Sequence, residues 1–205
     1  MPKETFFNLP EEKQNLICEA ALEEFTDHPF RHASVNRIVR RSGIAKGSFY
    51  QYFEDKVDLF RYLLQKAAEV KMRYLAPVFE NAAQSDFFTL LHDLYLRGLQ
   101  MALDHPRYAA LGKRLIEDRT LYAKIWSESA SSAQDFFRSF IEKAIARGEI
   151  RSDLDPALIS WLVTTLSGQL NEYYLEHVAP QYDQRMMETV EQFIAFLRHG
   201  LQPRS

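Results

Sequence analysis

A chain of 205 residues, 46% hydrophobic and 26% charged with a formal net charge of -3, carries enough apolar material for an ordinary core in one domain or two small ones, and it is not a disordered polymer. The single cysteine, Cys18, excludes an intramolecular disulfide and fits a reducing compartment. No apolar run approaches the ~20 residues that span a bilayer, and MPKETFFNLPEEK lacks the apolar core of a signal peptide, so a cytoplasmic protein without a membrane partner is expected.

Seven glycines and eight prolines punctuate the chain sparsely, and apolar residues recur at helical spacing with little strand-like alternation; the class is all-α. Pro10 with Glu11 and Glu12 starts a first helix, proline in its first turn and acids at the positive end of the dipole. Leu16, Ile17, Ala20, Ala21 and Phe25 form its buried face, and Cys18 shares that amphipathic pattern as a core or boundary thiol. Ser34 can cap a short helix reaching about Arg41, Gly43 offers positive φ for a tight turn, and a second short helix runs from about Ala45 to Tyr52. Asp55 caps a longer segment whose stripe begins with Val57, Phe60, Leu63 and Leu64 and runs toward Tyr74, with Pro77 kinking or ending it. From Ser85 the polar residues Asp86, Thr89, Asp93, Arg97 and Gln100 leave the rest of a helix apolar, which implies burial on several sides. Asp104-His105-Pro106 breaks it. Further helices are expected over Pro106 to about Glu117, about Leu121 to Ala146 with Gly148 as its C-terminal cap, Pro156 to about His177, and Asp183 to near Gly200.

Between His28 and Phe53 lie five Arg or Lys and no Asp or Glu, inside a net-negative chain. A local basic, aromatic-bearing stretch of this kind suits a surface that meets phosphate. Two short helices joined by a glycine-containing turn form the helix-turn-helix unit, whose second helix enters the DNA major groove. The run Ser34-Val35-Asn36-Arg37-Ile38-Val39, then Ser42 through Phe53, then Lys56 and Leu59, resembles the TetR-type repressor signature, with a close match over about residues 10 to 64. Val39 stands where that family usually has Ala, and Gln51 where an aromatic or His is frequent. The resemblance implies a three-helix DNA-binding head, residues 1–55, joined to a helical regulatory and dimerisation region, residues 56–205.

Lys46, Gly47 and Ser48 occupy the first turn of the second motif helix, where backbone N–H groups and short side chains approach phosphate or base edges. By resemblance Lys46, Ser48 and Gln51 neighbour base edges, with Asn36 reaching in from the preceding helix, and Ser34, Tyr50, Tyr52 and Lys56 bind phosphate. Phe49 and Phe53 are expected in the core. Arg37, Arg40 and Arg41 are either a solvated face or sources of nonspecific phosphate attraction. His28 and His32 read as loop histidines rather than metal ligands, since Pro29 interrupts any helix between them.

Enzymatic signatures are missing: there is no G-x-S-x-G, H-E-x-x-H, P-loop or dinucleotide glycine fingerprint, and neither cofactor nor metal is expected. Aromatics beyond residue 85, among them Phe88, Tyr95, Trp126 and Tyr173, fall on several helices with His92 and Gln169 between them, either as core or as the lining of an interhelical pocket. The resemblance implies a small apolar or amphipathic effector there. Ser160, Thr164 and Gly168 on one helix, with the stripe containing Val190, Phe193 and Leu197 on the last, serve either intrachain packing or, as the resemblance implies, an isologous homodimer interface that places two heads on a pseudo-palindromic duplex. Control by a protein partner, and more remotely a helical enzyme, are the alternatives.

Overall fold

The computed structural model describes residues 1–126 and 130–203, apart from the side chains of 126 and 130–134. The described residues form eleven α-helices and no strand: α1 (Glu4–Phe7), α2 (Glu11–Asp27), α3 (Val35–Ser42), α4 (Lys46–Tyr52), α5 (Lys56–Asn81), α6 (Phe87–Asp104), α7 (Pro106–Glu117), α8 (Arg119–Trp126), α9 (Ala130–Ala146), α10 (Pro156–Tyr173) and α11 (Arg185–Leu201). Local chemistry sets most of their ends. Asp55 Oδ1 accepts from the Asp58 N–H at 2.8 Å to cap α5. Asp155 likewise accepts from Ala157 N–H at 3.0 Å, with Pro156 in the first turn of α10. Gly43 (φ 67°) and Gly148 (φ 74°) supply the left-handed residues that close α3 and follow α9. Pro77 does not end α5, which continues to Asn81; Arg73 and Pro77 are both solvent-exposed, so water can replace the backbone bond that proline removes. Past α10 the chain continues as a π turn over Tyr174–Val178.

The chain forms two compact units, and their division differs from the expected one at residue 55. The first takes in Met1–Lys71 and His105–Ile125; the second takes in Met72–Asp104 and the described residues from Trp126 onward. The physical reason lies in α7 and α8: Leu111, Leu115 and Leu121 are buried in the same cluster as Ile17, Ala21, Phe25, Leu59 and Phe60. Arg114 adds polar closure, donating to the Thr26 carbonyl from Nε at 3.1 Å and Nη2 at 2.9 Å. Leu16, expected on the buried face of α2, is 52% exposed instead.

In the second unit α10 packs on α9 and α11 on α6, around Phe87, Leu91, Ile141, Ile159, Val163, Tyr174, Val190, Ile194 and Leu197. Tyr174, fully buried, donates its hydroxyl to Asp183 at 2.7 Å. The Arg185 guanidinium and that phenol hold the Asp183 carboxyl well below the usual carboxylate range.

Candidate functional site

The helix-turn-helix is α3, the Gly43 turn and α4, and one buried acid organises it. Glu24 on α2 has no solvent exposure, yet it accepts from Arg37 Nε at 2.9 Å, Arg37 Nη2 at 2.6 Å and the Ser34 N–H at 2.8 Å, with Arg41 Nη1 at 3.7 Å and His28 Nε2 at 3.9 Å. Burial pushes this carboxyl up, but the hydrogen bonds from Arg37 and Ser34, with the charges of Arg37 and His28, hold it below the usual carboxylate range. Arg37 also donates to the His32 carbonyl at 2.7 Å. Its guanidinium is therefore a bracket between α2 and the start of α3 rather than a free phosphate ligand. Ser34 stands at the N-cap of α3, but its side chain makes no capping bond; its backbone N–H is what Glu24 holds. Helical spacing places Glu24 beside Ala20, Ala21 and Phe25 on the buried face, and that was the legible signal for its role.

Lys56 is corrected in the same way. Its Nζ donates to three carbonyls, Phe30 at 2.8 Å, Ala33 at 3.1 Å and Arg31 at 3.3 Å, and lies 4.6 Å from the centroid of the Phe30 ring. Burial pushes the ammonium down, against the pull of Glu24, Asp118 and Asp55. All three donors thus close the 3-10 turn at Phe30–His32 and its exit. Tyr52, expected on phosphate, is buried, with its ring 6.3 Å from that of Phe6. Phe49 and Phe53 are fully buried.

The remaining motif residues face outward. Asn36, Arg40, Lys46, Gly47 and Gln51 are exposed, Ser48 is half-buried, and Tyr50 is 46% exposed. Arg31 is paired with Asp118 at 3.2 Å and Arg41 stands near Glu23 and Glu24, so the basic stretch is partly neutralised by acids brought from elsewhere. Ala45 provides no side-chain cap for α4, and a Cβ built on Gly47 meets nothing within 4 Å. The fold therefore gives no packing reason for glycine at 47.

Sequence reasoning missed what steadies the other end of α4. Lys3 donates from its backbone N–H to the Tyr52 carbonyl at 2.8 Å and from Nζ to the Tyr50 carbonyl at 3.0 Å, and Thr5 Oγ1 donates to the Gln51 carbonyl. These bonds satisfy the terminal carbonyls of the helix. They join residues 46 to 49 positions apart, and no local pattern announces them.

Residues 17–63 match the model for bacterial regulatory proteins of the tetR family. A TetR family transcriptional regulator from Chloroflexus aurantiacus J-10-FL, known from a crystal structure, is 31% identical with a TM-score of 0.72, and the match covers 100% of both chains. The chain belongs to the TetR family of transcriptional regulators. The HTH-type transcriptional repressor AcnR of Corynebacterium glutamicum is 27% identical over 78% of this chain and 80% of its own length. The fold is shared with the transcriptional regulator FadR of Bacillus subtilis in complex with stearoyl-CoA, at a TM-score of 0.72 and 19% identity over 91% of this chain and 98% of that one.

In the second unit of this TetR family member, the expected effector residues that are described differ in exposure. Phe88 is buried under the Arg198 guanidinium, 4.6 Å from its ring centroid. His92 stands 3.3 Å from Asp93, and Gln169 and Tyr173 are exposed on the outward side of α10. The Trp126 side chain lies outside the described residues. The Tyr95 hydroxyl is shielded from solvent. Open surface grooves beside Ile145–Asp153 and along Glu11–Glu19 contain none of these residues.

Three of the six expected dimer residues, Ser160, Val190 and Leu197, are corrected as well. Val190 and Leu197 are core, as is Ser160, Phe193 is half-buried against Tyr95, and Thr164 bonds back to the Ser160 carbonyl at 2.8 Å. Of the six, Gly168 is exposed. The α11 stripe packs on α6 of its own chain because those two apolar faces are each other's nearest cover. Outward-facing apolar area is carried instead by Leu158 (51% exposed), Trp161 (51%) and Tyr173 (53%) on α10 and Phe196 (69%) on α11. No helix among the described residues is long and apolar enough to cross a membrane.

Proposed function

We propose that this regulator is a cytoplasmic repressor that holds a pseudo-palindromic duplex operator as a homodimer and is released from it by a small apolar or amphipathic effector. The observation that carries the DNA reading is the sorting of the motif: Arg37, Lys56 and Tyr52 are consumed by the fold, while Asn36, Arg40, Lys46, Gly47, Tyr50 and Gln51 remain outward on α3 and α4. Lys46, Ser48, Gln51 and Asn36 are assigned to base edges, Ser34 and Tyr50 to phosphate oxygens, and Arg40 to long-range phosphate attraction. The exposed apolar residues of α10 and α11 are assigned to the twofold interface. The stearoyl-CoA held by the Bacillus subtilis FadR supports the reading that a fold of this kind takes an effector. The chain passes between its two units within α5, between α6 and α7, and within α8, so an effector that favours one arrangement of the second unit has covalent routes to the first.

The test is selection from a random duplex library. An inverted repeat should emerge, and Lys46→Ala and Asn36→Ala should change which bases are enriched without lowering the melting temperature. Enrichment of no sequence by the wild type, or identical enrichment in both variants, refutes the assignment. Intact DNA binding that no body-bound small molecule alters favours control by a protein partner.

A further inference from the structure

The outward helix of the motif is intrinsically weak. α4 has seven residues, a glycine in its first turn at Gly47, and no capping bond from the Ala45 side chain. A helix this short is marginal by itself, and glycine weakens it further. Phe49 and Tyr52, with Phe53 just past the end, are its buried residues, and their three- and four-residue spacing puts them on one side. Apolar contact selects which face turns inward; directional bonds set the roll of a helix about its axis. The outward residues Lys46, Ser48 and Gln51 depend on that roll, because a hydrogen bond to a base edge weakens steeply with misalignment.

The directional bonds come from the start of α1. Lys3 gives its backbone N–H to the Tyr52 carbonyl at 2.8 Å and its Nζ to the Tyr50 carbonyl at 3.0 Å, and Thr5 Oγ1 donates to the Gln51 carbonyl. Successive carbonyls stand about 100° apart around a helix axis, so bonds to three in a row fix rotation as well as position. The Lys3 ammonium lies at the negative end of the helix dipole and is held there by Glu54 Oε1 at 2.8 Å. α1 is itself anchored: Phe6 is fully buried, its ring 4.9 Å from that of Phe53 and 5.4 Å from that of Tyr62 on α5. Gln14 Nε2 on α2 donates to the Leu9 carbonyl just past α1 at 2.9 Å. The restraint therefore ties α4 to α2 and α5. Thr5 is solvent-exposed, and water can satisfy an exposed carbonyl at little cost in stability, so what its hydroxyl supplies is geometry.

We propose that Lys3 and Thr5 are positioning residues for operator selectivity, setting the roll of α4 through its last three carbonyls without touching the duplex themselves. This rests on the DNA reading above and extends it to residues outside the helix-turn-helix. The measurement, on the full chain, is the ratio of affinity for the duplex that the wild type selects to affinity for a scrambled duplex. Thr5→Val keeps the shape and removes the hydroxyl; it should lower the ratio about 5-fold, the worth of one neutral hydrogen bond, and Thr5→Ser should restore it. Lys3→Met combined with Glu54→Gln leaves the net charge unchanged and should lower the ratio about 10-fold, since the lost bond is charge-assisted. Affinity for the scrambled duplex, its salt slope and the melting temperature should stay at wild-type values. A clear wild-type ratio that both variants retain overturns the positioning role alone. So does a ratio lost equally in Thr5→Val and Thr5→Ser, or a fall in both affinities that tracks a lower melting temperature. A salt slope shallower by about 0.9 in the Lys3 variant would make Lys3 a phosphate ligand instead and overturn it as well. A wild-type ratio near one refutes the DNA reading, and this inference with it.

Discussion

Lys56 separates two accounts of the same residue. As a phosphate ligand it would contribute one ion to the salt dependence of DNA binding; as the structure has it, the ammonium is spent on the Phe30, Arg31 and Ala33 carbonyls. Lys56→Met keeps most of the stem against Phe30 and removes the charge. A hydrogen bond to a charged group contributes about 1.5–3 kcal/mol net. Here one partly buried ammonium serves three acceptors, and the Arg31 contact is exposed, so its carbonyl can be rehydrated. The net loss is therefore set at about 2 kcal/mol, which for a chain of 205 residues lowers the melting temperature by about 4–8 °C. The assay pairs thermal denaturation with affinity for a nonspecific duplex between 50 and 200 mM salt, a range over which each lost phosphate contact flattens the log–log slope by about 0.9. A lower melting temperature with the slope unchanged is expected. A slope shallower by about 0.9 with the melting temperature unchanged would refute the reasoning.

Glu24→Gln should destabilise the first unit by about 3 kcal/mol, because Arg37 keeps its charge but loses the carboxylate that compensates it. Since the folded Glu24 has a pKa below its ordinary value of 4.5, its contribution is present above that pH and is lost as pH falls through the lowered value; chemical denaturation from pH 7 to pH 3 should show an acid-side loss that the Gln variant lacks in part. Gly47→Ala adds a methyl that meets nothing within 4 Å and favours helix by about 1 kcal/mol, so the melting temperature should rise while DNA affinity falls; unchanged affinity would remove Gly47 from the interface. Trp161→Glu combined with Phe196→Glu should yield folded monomers by sedimentation, whereas Val190→Glu should unfold the second unit by burying a charge; a double variant that still sediments as a dimer would place the interface elsewhere.

What the sequence determined by itself is what neighbouring residues decide among themselves. Gly43 at positive φ, Asp155 capping α10, and Phe25, Phe49 and Phe53 in the core all follow from contacts within a turn or two, where periodicity and backbone preference speak directly. The family could be read for the same reason, because the helix-turn-helix is one continuous stretch. Tertiary structure alone decided the partners. Arg37 finds Glu24 across 13 residues, Lys56 finds the Phe30 carbonyl across 26, and Arg114 closes α2 across 88, which is why α7 and α8 fold with the DNA-reading helices. Periodicity marks the face of a helix that must be covered and is silent on what covers it. The stripe of Val190, Phe193 and Leu197 was legible as apolar, yet only packing against α6 turned it into core and left Trp161 and Phe196 outward, because a buried face is satisfied equally by the same chain or by another.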